Sequence, residues 1–251
     1  MLLWAGDMIA HPTFRNLTDS FESWAYRNGF QRQLQRLEKR QCLESRDAGT
    51  YDRLYRLTDA GRLAALGGRD PEAHWNRRWD RYWRLVLFDV PEARVSTRNR
   101  LRNLLRRRGF GYLQNSVWIT PHPIIEERAI LMDGPVNVES CIVLEARPCA
   151  GEKDAQIVAG AWDFTAINKR HEAYQDVLAK CPRRPLVDES SAAAFHRWLR
   201  VEREAWLDAI GRDPLLPDEL LPAGYLGRAS WQKRHKVMAE AGERMRNFLA
   251  Q

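Results

Sequence analysis

Apolar side chains first recur at helical spacing. Phe14, Leu17, Phe21 and Trp24 form one stripe, Asn28-Gly29 interrupts it, and Phe30, Leu34 and Leu37 form a second. This predicts helix, turn, helix, with Phe30, Leu34 and Leu37 buried as one face. The period then shortens to two. Residues 41–46 read as extended, Asp47-Ala48-Gly49-Thr50 as a turn, and residues 51–57 as the returning strand. Thr58 precedes Asp59-Ala60-Gly61 as the N-cap of a short helix. Helix, turn, helix and hairpin is the order of a winged helix-turn-helix.

Gly67-Gly68-Arg69-Asp70-Pro71 breaks the chain and marks a boundary. Trp75 and Trp79 then lie four apart, which predicts a helix with Arg77, Arg78 and Arg81 around it. Two readings stay open for it: an aromatic and basic surface, or a linker helix packing its tryptophans between domains. Residues 83–88 are a short apolar run ending at Asp89-Val90-Pro91, as a buried strand would be. In residues 96–108, Leu101, Leu104 and Leu105 face inward, and Gly109 closes the helix at C′. Residues 110–113 and 116–120 flank Gln114-Asn115 as a tight strand pair. Residues 123–132 are expected to be helical and 138–146 to form a last strand. The order βαββαβ is the ferredoxin-like split unit.

From residue 158 onward the pattern is helical. Trp162, Ile167, Tyr174, Val177 and Leu178 predict one amphipathic helix. Phe195, Trp198, Leu199, Trp206 and Ile210 predict a second, stopped by Asp213-Pro214-Leu215-Leu216-Pro217. Pro217 opens a short turn of helix through Leu221. Val237, Met238, Ala241, Met245 and Phe248 stripe a final helix. The fold class is therefore α+β. The expected divisions are a winged helix-turn-helix over 1–66, a linker helix over 67–82, a ferredoxin-like domain over 83–150, and a helical domain over 151–251.

Length and composition agree with two or three modules. The chain has 251 residues, 44% hydrophobic and 29% charged. No apolar run approaches the roughly 20 residues of a membrane-spanning helix. The apolar start of the chain carries Asp7 and lacks a basic head, so it does not read as a secretory signal. Cys42, Cys141, Cys149 and Cys181 show neither C-x-x-C spacing nor paired histidines, which fits a reduced, cytoplasmic setting.

Charge changes the picture more. The net charge is +7, which points to an anionic partner such as nucleic acid or a phosphorylated ligand. The excess is uneven: residues 67–108 alone carry 12 Lys/Arg against 5 Asp/Glu. Arg98, Arg100, Arg102, Arg106, Arg107 and Arg108 belong to one helix of that block. They suit DNA phosphate, an anionic ligand, acidic residues of another domain, or plain solvation. On the second helix, burying Phe30, Leu34 and Leu37 turns Asn28, Arg32, Gln35, Arg36 and Lys39 outward. That face has amides and cations and no carboxylate. Amides read adenine edges, arginine reads guanine, and lysine neutralises phosphate. Arg46, Arg53 and Arg56 of the hairpin extend it toward double-stranded DNA.

Motifs for nucleotide binding and hydrolysis are missing. There is no G-x-x-x-x-G-K, no G-x-G-x-x-G after a strand, no G-x-S-x-G and no H-E-x-x-H. No enzymatic activity, cofactor or metal is expected. The one carboxylate in a suggestive position is Asp89, at a strand end. A metal-dependent nuclease could hold Mg²⁺ there, or the residue simply caps the following turn.

Three stretches in order carry a resemblance. They are Arg36-Leu37, Leu43-Glu44 and Tyr55-Arg56-Leu57-Thr58-Asp59-Ala60-Gly61; then Trp83-Arg84-Leu85-Val86-Leu87-Phe88-Asp89-Val90-Pro91 continuing through Gly109-Phe110 to Gln114-Asn115-Ser116-Val117-Trp118-Ile119; then Asp213-Pro214-Leu215-Leu216-Pro217 with Leu220-Leu221-Pro222. The chain thereby resembles the PaaX-like regulators, repressors of phenylacetate-degradation operons. The family's first helix is longer than the eleven residues before Pro12-Thr13 allow here. The resemblance implies a winged helix, a central domain similar to the CRISPR-adaptation endonuclease fold, and a helical C-terminal domain. It further implies a homodimer on an imperfect palindrome, blocking transcription until an aryl-CoA thioester such as phenylacetyl-CoA releases it. It supplies no effector-binding residues. Charge location alone points to the arginines around residues 77–108.

Overall fold

A computed structural model describes residues 30–47, 53–89, 95–114, 117–124, 140–183, 185 and 189–249. They gather into two compact units. One holds the described residues up to Arg69 with 176–204 and those from 232; the other holds 70–175 and 205–231. Among the described residues, no helix is long and apolar enough to cross a membrane.

In the first unit, helix α1 (Phe30–Lys39) is followed by strands β1 (Leu43–Asp47) and β2 (Arg53–Leu57) and helix α2 (Asp59–Ala65). The strands pair antiparallel, Leu43 opposite Leu57. Helix α1 closes with two reversed bonds: Cys42 N–H donates to Leu37 O at 2.8 Å and Gln41 N–H to Glu38 O at 2.8 Å. Gln41 takes the left-handed position between them, φ 55°, where glycine is commoner. Thr58 caps α2 as its sequence predicts, accepting the Gly61 N–H at 3.0 Å. It also donates its hydroxyl to Gln41 O, tying the end of α1 to the start of α2. Gly61 is required there. A Cβ would lie 1.9 Å from the Cys42 carbonyl oxygen.

The second unit opens with α3 (Pro71–Trp75), capped by Asp70 Oδ1, which accepts from Glu72 N–H and Ala73 N–H at 3.0 and 3.2 Å. This helix is shorter than expected and Trp79 lies beyond it. Asn76 ends the helix, and the Trp79 indole donates instead to Tyr82 O at 3.1 Å. Both tryptophans are nevertheless buried, so packing decides this segment.

Strand β3 (Trp83–Asp89) leads to α4 (Val95–Arg107), β4 (Gly111–Gln114), β5 (Val117–Thr120) and β6 (Ser140–Ala146). The sheet order is β4-β5-β3-β6, antiparallel throughout. The first strand thus lies between the third and fourth, as a βαββαβ split unit requires. Of the helix expected over 123–132, Pro123 and Ile124 are not helical and the rest lies outside the described residues. Gly109 closes α4 at φ 84°, with Phe110 N–H donating to Leu105 O at 3.0 Å.

Strand alternation gives β3 two apolar faces. Val86 and Phe88 pack with Leu101, Leu105, Phe110 and Trp118. Trp83, with Leu85 beside it, joins Trp79, Ile119, Val158, Trp162 and Leu216. At about 25 cal/mol per Å² of apolar surface, burying each large side chain contributes on the order of 2 kcal/mol.

The helices that follow are α5 (Asp154–Ala161), α6 (Phe164–Ala179), α7 (Glu189–Gly211) and α8 (Gly227–Leu249), with a 3₁₀ turn at Asp218–Leu220. Trp162 falls in the break between α5 and α6 rather than inside one helix. Asp163 Oδ1 caps the new start, accepting the Ala166 N–H at 2.9 Å. The Trp162 indole donates to Gly109 O at 3.2 Å. Within the first unit, buried Glu202 of α7 accepts from Arg234 Nε of α8 at 2.9 Å.

Candidate nucleic-acid interface

Helix α1 has no acidic residue in its first turn and Arg36 and Lys39 in its last, where cations favour the helix dipole. Arg32, Gln35, Arg36 and Lys39 are all exposed. None has an ion pair among the described residues. The helix's own carboxylate, Glu38, is half-buried. The stripe behind them is looser than expected. Leu34 is half-buried, but Leu37 is 38% exposed, because it stands where the chain leaves the helix for the hairpin. Asn28 lies outside the described residues.

On the hairpin, Arg46 and Arg56 are exposed. The register sets Glu44 opposite Arg56 and Arg46 opposite Leu54, so period-two alternation brings Arg46 and Arg56 to one face. Arg53 pairs with Asp47, one step out of phase with Arg56. The Arg56–Glu44 ion pair spans 3.6 Å with side chains 73% and 54% exposed. Such a pair contributes under about 1 kcal/mol and leaves Arg56 available to a stronger anion.

The arginine block divides in a way its sequence hides. Arg77, Arg78, Arg81, Arg100, Arg106 and Arg107 are exposed, whereas Arg84 is 7% exposed. Its guanidinium holds Asp80, donates from Nε to Glu145 at 3.1 Å and from Nη1 to Pro121 O at 3.2 Å. Arg84 is therefore part of the scaffold. The hydrogen bond from Arg84 draws the Asp80 carboxyl below its ordinary range, and Asp80 in turn raises Arg84. Burial alone pushes the Cys141 thiol up.

One polar constellation escapes sequence reasoning. Asp213 and His171 are both fully buried. Asp213 Oδ2 accepts from His171 Nε2 at 2.6 Å and from the Tyr225 hydroxyl at 2.7 Å, while Oδ1 accepts the Leu215 N–H at 2.8 Å. The last bond holds Leu215 at φ 52°. The Trp75 indole donates to the Tyr225 hydroxyl at 3.1 Å, and Leu215 O lies 3.1 Å from His122 Nε2. The Asp-Pro-Leu-Leu-Pro stretch is a polar junction as well as a helix stop. Its partners lie 12 and 42 residues from Asp213 along the chain, too far apart for any spacing rule.

Asp89 ends β3 with its backbone paired to Ser140. Among the described residues, no three His, Cys, Asp or Glu side chains gather at metal-binding distance.

Two family models match. The PaaX protein central Cas2-like domain covers residues 76–158, and the PaaX-like protein C-terminal domain covers residues 162–251. The transcriptional repressor PaaX of Escherichia coli (strain K12) is 28% identical over 162 residues, 61% of this chain. The chain spans only 50% of that protein's length. Among solved structures, an uncharacterized protein, Rv0674 from Mycobacterium tuberculosis, is similar with a TM-score of 0.53. It is 22% identical, with 86% of this chain and 82% of that one covered. At that identity the likeness speaks to fold alone.

Proposed function

The chain belongs to the PaaX-like family, and from that premise we propose that it is a ligand-responsive transcriptional repressor. It binds operator DNA as a homodimer in the cytoplasm, and an aryl-CoA thioester such as phenylacetyl-CoA releases it. Residues 1–66 act as a winged helix-turn-helix, 67–82 as a linker, 83–150 as a ferredoxin-like domain and 151–251 as the helical domain.

The observation that carries DNA binding is the outer face of α1, where Arg32, Gln35, Arg36 and Lys39 stand exposed without an ion pair among the described residues. In a major groove, a guanidinium reaches guanine O6 and N7 and a carboxamide reaches adenine N6 and N7. Asn28 joins the helix residues in reading the duplex. Arg46 and Arg56 on one face of the hairpin, and Arg53 on the same hairpin, supply phosphate contacts. These fix register and dominate affinity. Release requires the effector to bind the DNA-incompetent state more tightly. A tenfold loss of operator affinity takes about 1.4 kcal/mol of coupling.

The test is fluorescence anisotropy with the promoter DNA upstream of the protein's own operon. Retention unaffected by EDTA, steepening by about 0.9 in log–log salt slope for each neutralised phosphate, and reversed by one acyl-CoA supports the reading. Mg²⁺-dependent cleavage that disappears in Asp89→Asn contradicts it and favours a nuclease.

A further inference from the structure

We propose that a small hollow in the second unit is a binding site for an aromatic anion, a flat ring bearing one carboxylate or phosphate ester. The hollow has a volume of about 210 Å³. Arg106, Arg170 and Arg212 line it together with Tyr112, Trp118 and Trp162. Three guanidinium groups come from three places in the sequence: the last turn of α4, the middle of α6, and the residue after α7.

Its other charged lining residue is Asp163, whose Oδ1 already accepts the Ala166 N–H. Arg170 donates from Nη1 to Asp208 at 2.6 Å; a guanidinium has five N–H donors, so this contact leaves the rest of its fork to another acceptor. Arg212 has no ion pair among the described residues.

An aromatic wall backs the hollow. Trp118 is completely buried, and its indole N–H has no acceptor among the described residues. A buried donor without a partner is costly to a fold, but this one is closed off from the hollow, and Trp118 backs its wall from within the core. The Trp118 ring also meets Tyr112 at 5.3 Å and lies under the Arg106 guanidinium at 5.5 Å. A ligand ring entering between aromatic walls is held by stacking, and its anionic group by bidentate arginine contacts.

Size and charge select the ligand. The hollow is smaller than sites for drug-sized molecules, about 300–1,000 Å³, so a ring and one anionic group suit it. The adjoining cleft of about 650 Å³ is lined by Asp154, Asp163 and Glu219 and by no Lys or Arg, which turns an anion away from it. This inference does not depend on the repressor reading, since its readout is binding to the protein without DNA.

Calorimetric titration of the full chain tests it, with benzoate and phenyl phosphate as probes and cyclohexanecarboxylate and inorganic phosphate as controls. At least one aromatic anion is expected to bind about tenfold tighter than its control, and which of the two does so identifies the anionic group. Arg212→Gln, at an exposed position, is expected to weaken binding about tenfold. Failure of both probes to bind at about 10 mM, equal binding of the controls, or unchanged affinity in Arg212→Gln would overturn the proposal.

Discussion

The helix–hairpin segment and the Asp213 junction use polar side chains in opposite ways. On α1, Arg32, Gln35, Arg36 and Lys39 stand in water. At the junction, Asp213 and His171 are wholly buried, and Asp213 accepts from a histidine, a tyrosine and a backbone N–H. The first set leaves donors for another molecule. The second turns the Asp213 carboxylate wholly to donors within the chain. Residue type does not separate an exposed polar face from a structural junction here; exposure and partnering do. Arg84 makes the point inside one charge block, being buried and paired where Arg106 and Arg107 are exposed.

The contrast breaks most sharply at Asp213. Asp213→Ala should lower unfolding free energy by about 3–5 kcal/mol, because it strips partners from buried groups. A urea denaturation curve close to wild type would mean the junction does not hold the second unit together. Gly61→Ala tests whether the exposed segment has a tight point of its own. Its new Cβ would meet backbone that cannot swing away, so a loss of about 1–3 kcal/mol is expected, seen as a lower thermal midpoint.

Arg32→Ala and Gln35→Ala should do the reverse of Asp213→Ala. Stability should move by less than about 0.5 kcal/mol, while operator affinity falls by about 1–3 kcal/mol for each base edge that the helix stops reading. If both variants kept wild-type affinity in anisotropy titrations, this face of α1 would not read DNA. Gln41→Gly should stabilise the chain by about 0.5–1 kcal/mol by relieving the left-handed position.

The smallest effect is one of pH. The Asp80 carboxyl is drawn below its ordinary value by the Arg84 hydrogen bond. Its contribution is therefore fully present above the unfolded value, about 3.9, and is lost as pH falls through the lower folded value. Because Asp80 is half exposed, the effect is modest. Asp80→Asn should flatten the acid side of the stability profile below about pH 4 and leave its neutral side nearly unchanged in slope.

Much of the local structure was legible from single residues. Thr58 caps α2, Gly109 closes α4 with positive φ, and Asp213-Pro214 stops α7, each where the side chain or its absence dictates. The two tryptophans at 75 and 79 misled, because helical spacing also arises by chance when one indole ends a helix, the other follows in a loop, and both are buried. Trp162 misled too: five positions before Ile167, it lies about 140° off that stripe at 100° per residue, and Asp163 starts a new helix after it. Of the proposed DNA contacts, the exposure of Arg32, Gln35, Arg36 and Lys39 followed from the 100° turn per residue. Which hairpin arginine shares a face with Arg46 waited on the register.

The amino-acid order by itself determined the alternation of helices and strands, the location of the basic block and the amphipathic face of α1. These depend on neighbours within a few positions, whose geometry the backbone fixes. Only the tertiary structure decided which charges are used up internally. It joined His171, Asp213 and Tyr225, buried Arg84, and collected Arg106, Arg170 and Arg212 around one hollow. Those groupings connect residues tens of positions apart. Hydrogen-bond and Coulomb energies depend on distance through space, which no local pattern encodes.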